Sequence, residues 1–394
     1  MDLTLLHPDK RHELSLRVEK VKFQMQIAGM DGLLVGSPTN LYYLGGGVFR
    51  GYVYIPVDRD PLFFMIPPSE GIGDMCHTIR KPEMIAGILE SQGIGKATKL
   101  GLEFDDLSYS EIRRLMRALP AGEYSDATPV LRMARLIKTD YELRLMRQDG
   151  MRQAEVYKQI KHCYQEDMTD MEFQIEIERV LRRVGCLGYL RAAGNRMQLN
   201  MGSVIAGANA DVPSPYDFSM GGAGTDPSLP VGASGEIMKP GTAVMVDMNG
   251  GFNGYQTDMT RCWTIGEVPE KAVRAHECSI AILRDLEHFA HTDVAVGEVY
   301  RRARRLADDA GLADCFMGHN HKVAFIGHGV GIELNEMPVV MERNDTPLLG
   351  NMTIALEPKF VIPGVGALGV ENTYIVTDTG LENITVLDES LKQL

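Results

Sequence analysis

The sequence predicts an α/β domain over residues 1–135, followed by an α+β domain with an internal pseudo-two-fold repeat over residues 136–394. Three observations predict it. Helix-type and strand-type hydrophobic patterns alternate through the first part. The Thr139-Asp140-Tyr141-Glu142 capping signal then opens a new helical region. Beyond it, a helix pair followed by a strand pair occurs twice.

The elements follow in order. Leu14, Val18, Val21, Met25 and Ala28 step by four and three, which is one face of an amphipathic helix. Asp31–Val35 reads as a buried strand. Tyr52–Val57 and Pro61–Ile66 read as strands joined at Asp58-Arg59-Asp60. Residues 82–91 and 108–118 read as helices around a strand at 98–103. Gly45-Gly46-Gly47 lacks the Lys-Ser/Thr of a phosphate cradle and reads as a plain loop. In the second part, helices are expected at 139–165 and 169–184, the latter opened by Thr169 and Glu172, with a strand pair at 242–264. Helices at 268–290 and 297–310 precede a second strand pair at 351–377. His276, His288 and His291 fall in the helical pattern and read as surface or helix-end residues. The Gly/Pro/Ser-rich stretch 206–234 reads as a long loop of the functional or partly disordered kind.

A chain of 394 residues suits two domains, and 44% apolar with 24% charged residues suits a globular protein. A net charge of −13 argues against nucleic acid and against an anionic membrane surface as partners. No apolar run approaches the length of a membrane-spanning helix. The start, Met1-Asp2-Leu3-Thr4, shows no leader-like pattern. None of the six cysteines forms a Cys-x-x-Cys pair, so they read as free thiols in a reducing, cytoplasmic setting.

The chemistry lies in the two strand pairs. Asp247 interrupts the apolar strand Thr242–Met248, and Asp258 lies in the returning strand Tyr255–Thr260. A four-residue loop, Gly251–Gly254, would set Asp247 directly opposite Asp258. In the second pair, Glu357 ends one strand and Glu371 lies in the next. Residue 364, at the Pro363-Gly364 turn, is midway between them. Four carboxylates in apolar strands repel one another and lose hydration. Pairing with Arg or Lys is one answer, but while Arg261 is near Asp258, no base adjoins Asp247, Glu357 or Glu371; protonation of some of the carboxyls is another. Two divalent cations would cancel four negative charges. Oxygen-rich ligation favours Mn(II), with Co(II), Fe(II) or Zn(II) as alternatives. His328, in Gly327-His328-Gly329-Val330-Gly331, is the imidazole best placed to complete the set, because its glycines permit close backbone approach.

Taken together, the order of these residues resembles the pita-bread superfamily. That group holds methionine aminopeptidases, Xaa-Pro aminopeptidases, prolidases and creatinases. The matching contexts are Val-Asp247-Met, Thr-Asp258-Met-Thr-Arg, Gly-His328-Gly, Leu-Glu357-Pro and Val-Glu371-Asn-Thr. The first part is similar to the creatinase/prolidase N-terminal domain, through Arg17, Gly29–Leu33, Asn40, Tyr43, Leu44 and Gly46. The junction Arg135–Thr139 with Glu142 is similar too. The resemblance implies a metal-dependent hydrolase with Asp247, Asp258, His328, Glu357 and Glu371 as ligands. Its two metals would lower the pKa of a bridging water, and Glu357 would double as proton shuttle. A short peptide or small amide is the implied substrate, and a homodimer the implied assembly.

The sequence also departs from the family pattern. A His usual before the first metal Asp is replaced by Ser214 or Val231, depending on where the 206–234 loop is gapped. A His usual after the Gly-rich loop is Asn335, a usual Arg is Gly369, and an Asp after the last ligand is Asn372. Asn335 can donate to an oxyanion, and His321 is a nearby substitute imidazole. Three readings therefore stand. The first is an Xaa-Pro-type aminopeptidase or dipeptidase. The second is the same site acting on a non-peptide amide or as a lyase. The third is a catalytically silent binding protein, which the complete ligand set disfavours.

Overall fold

The computed structural model describes residues 8–69, 75–194, 197, 199–216 and 218–394, so the opening Met1–Thr4 lies outside the described residues. The chain divides after Arg135 into two compact units.

The first unit contains α1 (Pro8–Ile27), β1 (Gly32–Val35), α2 (Pro38–Gly45), β2 (Gly51–Pro56), β3 (Leu62–Met65) and β4 (Cys76–Thr78). After these come α3 (Ile85–Ser91), β5 (Lys99–Leu102), α4 (Tyr109–Ala118) and β6 (Glu123–Asp126), with α5 (Thr128–Leu136) running to the division. One sheet holds all six strands in the order β4-β3-β2-β1-β5-β6. Strand β1 is antiparallel to β2 and parallel to β5. All four of its residues are buried, which is why its sequence is apolar throughout instead of alternating.

The glycine run at 45–47 is not a plain loop at its start. Pro38–Gly45 is a helix, opened by the Ser37 side chain accepting from Asn40 N and stopped by Gly46 in the left-handed region. With only eight residues, it is too short to show helical periodicity. The residues shared with creatinase-type N-terminal domains act structurally here. Buried Glu103 accepts from Gly36 N at 2.6 Å and from Asn40 Nδ2 at 2.7 Å. Buried Arg17 donates to Glu13 at 2.6 Å and to Tyr43 O at 3.1 Å.

The second unit begins with α6 (Asp140–Tyr157), α7 (Asp170–Arg183), β7 (Gly202–Ala206), β8 (Thr242–Gly250) and β9 (Thr257–Ile265). It continues with α8 (Glu270–Phe289), α9 (Val296–Asp309), β10 (Phe325–Gly329), β11 (Glu336–Met341) and β12 (Thr353–Leu356). It closes with β13 (Lys359–Ile362), β14 (Gly366–Gly369), β15 (Asn372–Thr377), β16 (Gly380–Asn383) and β17 (Lys392–Gln393). Both expected capping boxes are formed, Thr139 with Glu142 and Thr169 with Glu172. Helix α6 stops at Tyr157, short of the expected 165, and a 3-10 turn covers Ile160–Cys163.

The repeat is visible in how the halves pack. Residues of α6 and α7, including Val156, Phe173 and Ile177, pack with Val204, Val246 and Met259 of the sheet β17-β9-β8-β7. Residues of α8 and α9, including Ile282, Leu283 and Val299, pack with Ile326 and Ile354 of the sheet β11-β10-β12-β15-β16. A two-stranded sheet of β13 and β14 continues the second hairpin. Contrary to the surface reading, His276 is buried, its Nε2 2.7 Å from Glu389 O. Helical spacing alone does not show which face of α8 meets the chain's C-terminal segment.

Candidate metal centre

The first hairpin carries Asp247 on β8 and Asp258 on β9. Its register differs from the expected one. Asp247 faces Thr260, and Asp258 faces Asn249. The loop is six residues long, 251–256, because its polar groups bond away from the hairpin. Asp149 on α6 accepts from Phe252 N at 3.0 Å and Asn253 Nδ2 at 2.8 Å, and Gln256 N donates to Gly331 O at 2.7 Å. The shift is by two residues, so the two aspartates stay on one face of the sheet, diagonally placed.

The second hairpin is broken once on each strand. Leu356 pairs with Asn372 on one side of the breaks, and Lys359 with Gly369 on the other. The register is the expected one, and it sets Glu357 and Glu371 opposite each other where the strands leave the larger sheet. There Glu371 bridges to the first hairpin, through Thr260 N to Glu371 O at 3.3 Å and Glu371 N to Thr260 O at 3.2 Å. That bridge brings the two acidic pairs together.

His328 sits on β10 between β11 and β12, opposite Val339 and Ala355. Its glycine neighbours are required by space. A Cβ on Gly327 would stand 2.1 Å from Ala355 O, and one on Gly329 2.0 Å from Met337 O. The ring's Nδ1 is 3.1 Å from Gly329 O, which fixes the proton there and leaves Nε2 as an acceptor facing the acids. Nε2 lies 3.7 Å from Asp258 Oδ2 and 3.9 Å from Glu357 Oε1.

One residue absent from the sequence reading stands among these groups. Lys359, fully buried, places Nζ 2.8 Å from Asp247 Oδ2, 2.7 Å from Glu357 Oε2 and 3.0 Å from Glu371 Oε2. It also donates to Ser219 Oγ at 3.1 Å. The expectation that no base adjoins these carboxylates is therefore wrong. The signal was in the sequence. Lys359 is two residues after Glu357, and strand period two puts both on one face. Arg261, near Asp258 in the sequence, braces the backbone, donating to Thr260 O at 2.8 Å and Glu371 O at 2.9 Å.

The electrostatics follow from burial and this ammonium. Burial, with Glu371 and Asp247 close by, pushes the Asp258 carboxyl well above its usual range. Burial and the neighbouring Glu357 raise Glu371 to about 8. Burial also acts on Glu357, but Lys359 and His328 outweigh it and hold that carboxyl below its ordinary value. Cations are thus in demand around Asp258 and Glu371, while Glu357 is already served.

Two groups of three side chains bring potential ligand atoms within 4.8 Å of one another: Asp258, His328 and Glu371, and Asp247, Glu357 and Glu371. The first fits a divalent ion. Glu371 Oε1 is buried without a hydrogen-bond partner, and His328 Nε2 faces Asp258. The second group already holds the lysine ammonium. The site's donors therefore suit metal binding at one position and oppose it at the other.

Asp247, Asp258, His328 and Glu357 line a small pocket with Ser203, Ser219, Asn249 and Asn335, beside Phe218, Met220 and Phe325, and Glu371 and Lys359 are not in its wall. Asn335 is in this wall. Its Oδ1 accepts from Ala193 N at 2.6 Å, and its Nδ2 meets only the Met197 sulfur among its described contacts. His321 is not in this wall. It is exposed and lines an adjoining cavity of about 380 Å³ with Ser214. Val231 lines neither. The 206–234 stretch contains a 3-10 turn, Gly207–Asp211, and supplies Phe218, Ser219 and Met220 to the pocket.

The other departures have local causes. A Cβ on Gly369 would meet Pro358 O at 2.9 Å, on a backbone with φ of 149°, so an Arg there does not fit. Asn372 must both accept and donate. It accepts from Arg261 and donates to Glu389 at 2.8 Å each, which an Asp could not do while ionised.

Residues 144–378, more than half of the chain, match Metallopeptidase family M24. The chain belongs to this family. Residues 17–137 match the Creatinase/Prolidase N-terminal domain. The M24 chain is 25% identical over 383 residues to an Xaa-Pro dipeptidase of Pyrococcus furiosus, covering 95% of this chain and 99% of the relative. It is 24% identical to the putative dipeptidase YkvY of Bacillus subtilis, covering 95% and 99%. In structure it is similar to an Xaa-Pro dipeptidase from Bacillus anthracis, with a TM-score of 0.81 at 22% identity over 97% of this chain and 100% of that one. The second unit is thus the pita-bread fold of the M24 enzymes, preceded by a creatinase-like domain.

Proposed function

We propose that this M24 enzyme is a divalent-metal-dependent aminopeptidase or dipeptidase that cleaves short peptides of the Xaa-Pro type. The observation that carries the reading is the convergence of His328, Asp258 and Glu371, whose ligand atoms lie within 4.8 Å of one another, behind a pocket wall formed in part by His328, Asp258 and Glu357. Relatives named Xaa-Pro dipeptidase, aligned over nearly their whole length, support the substrate class. A divalent ion there would lower the pKa of a bound water and polarise a peptide carbonyl. We expect Mn(II), given the oxygen-rich donor set, with Co(II), Fe(II) or Zn(II) as substitutes.

The chain's own residues do the rest. Glu357, kept anionic by the ammonium beside it, takes the proton released in the attack and returns it to the leaving amine. The Asn335 amide donates to the carbonyl oxygen as charge develops on it. Phe218, Met220, Phe325 and Leu334 give an apolar wall for a compact side chain such as proline. A cytoplasmic setting rests on the six free cysteines, and the homodimer rests on the resemblance alone. Light scattering of the purified chain tests the latter.

One observation favours a second reading, in which the substrate is a non-peptide amide. Among the described residues, His328 is the sole imidazole in the pocket wall. The test is a panel of Xaa-Pro and Xaa-Ala dipeptides and tripeptides, offered to chelated enzyme reloaded with each metal. Cleavage restored by metal supports the peptidase. Metal binding without cleavage of any peptide supports the second reading.

A further inference from the structure

We propose that Lys359 takes the place of one of the two metal ions expected at this centre, so that the enzyme works with a single divalent cation and a built-in ammonium. The inference rests on the reading of the site as a metal centre and changes its composition. Nζ of Lys359 stands over one oxygen from each of Asp247, Glu357 and Glu371, at 2.7–3.0 Å. Those are the ligand atoms a second ion would need. An ion at about 2.0–2.2 Å from the same oxygens would overlap the ammonium.

The division of oxygens supports this assignment. Glu371 gives Oε2 to Lys359 and to Thr260 Oγ1, and leaves Oε1 without a partner. Glu357 gives Oε2 to Lys359, and its Oε1 faces His328 Nε2 at 3.9 Å. Each glutamate thus serves the lysine with one oxygen and keeps the other off it: Glu357 Oε1 faces His328, and Glu371 lies within ligand distance of His328 and Asp258. Asp247, which is not in the group formed by Asp258, His328 and Glu371, is left to the lysine.

The ammonium has no ready way out. The side chain is fully buried, its strand is paired with β14 through Gly369, and the following Phe360 lies in the apolar core. Charge agrees as well. Four carboxylates balanced by one ammonium and one divalent ion leave a single negative charge, whereas two ions beside the lysine would make the centre a net cation.

The test counts metal. Wild-type protein is stripped with chelator, dialysed against Mn(II) and assayed for manganese by mass spectrometry. Its electron paramagnetic resonance spectrum is then recorded. The inference predicts about one ion per chain and the six-line signal of an isolated Mn(II). Lys359→Ala, which opens both space and charge, should bind twice as much and show the broadened spectrum of a coupled pair. The variant is to be produced with Mn(II) present, since its carboxylates lack the ammonium. If it does not fold, the wild-type count and spectrum decide alone. Two ions in the wild type, or a coupled spectrum, overturn the inference while leaving the metal centre standing. No bound ion in the wild type overturns the metal-centre reading itself, and the inference with it.

Discussion

Gly329→Ala tests whether the glycines around His328 exist to let strands approach. The new Cβ would stand 2.0 Å from Met337 O and 2.4 Å from Met337 C. Ordinary contact begins near 3.4 Å, so β10 and β11 must part locally by about 1.4 Å. Overpacking of this kind costs roughly 1–3 kcal/mol. The displaced strand also carries His328, one residue earlier, whose Nε2 must reach a metal at about 2.0–2.1 Å. A ring shifted by a fraction of that movement loses its bond geometry, and metal affinity should fall roughly 10–100-fold. Urea unfolding reads the first effect and calorimetric Mn(II) titration the second. Gly87→Ala is the control, because a Cβ there meets nothing within 4 Å. A Gly329→Ala protein that unfolds like the wild type and binds Mn(II) as tightly would refute the reasoning.

Three further outcomes are expected. Asp258→Asn should lose Mn(II) binding and peptide cleavage while keeping its circular dichroism spectrum; full metal content in this variant would remove Asp258 from the ligand set. Lys138→Met should destabilise by about 3–5 kcal/mol, because it takes the lysine from buried Glu336; urea unfolding showing a loss below about 1 kcal/mol would place the pair among weak surface bridges. Burial raises the Asp149 carboxyl to about 7, against 3.8 ordinarily, so the folded state keeps a proton there that the unfolded chain has released. Stability therefore falls as pH rises between those values, by roughly 4 kcal/mol in full. Asp149→Asn should flatten that part of the pH profile of unfolding free energy, and an unchanged slope would contradict it.

The site was legible in the sequence to the extent that its residues obey strand period. Asp247, Asp258, Glu357 and Glu371 interrupt apolar strands, and the turn at Gly364 sets the second register directly. The first register was misjudged because Asp149, a hundred residues away in sequence, holds the loop open. No local pattern shows that. Lys359 was legible and missed. It shares a face with Glu357, but a lysine in an apolar strand end is ordinarily read as an exposed edge residue. Strands β7, β10 and β11 are short, and two of them contain glycines that weaken the strand signal. His276 shows the opposite limit. Its burial depends on Glu389 at the far end of the chain.

The central claim is that this centre hydrolyses peptides through a divalent cation held by His328, Asp258, Glu357 and Glu371. Its most direct test is the rate of Xaa-Pro dipeptide cleavage by wild type and Asp258→Asn, each measured after chelation and again after Mn(II) is restored. The account predicts activity that vanishes on chelation, returns with Mn(II) in the wild type, and stays absent in the variant. Cleavage that survives chelation, or an Asp258→Asn enzyme as active as the wild type, would contradict it.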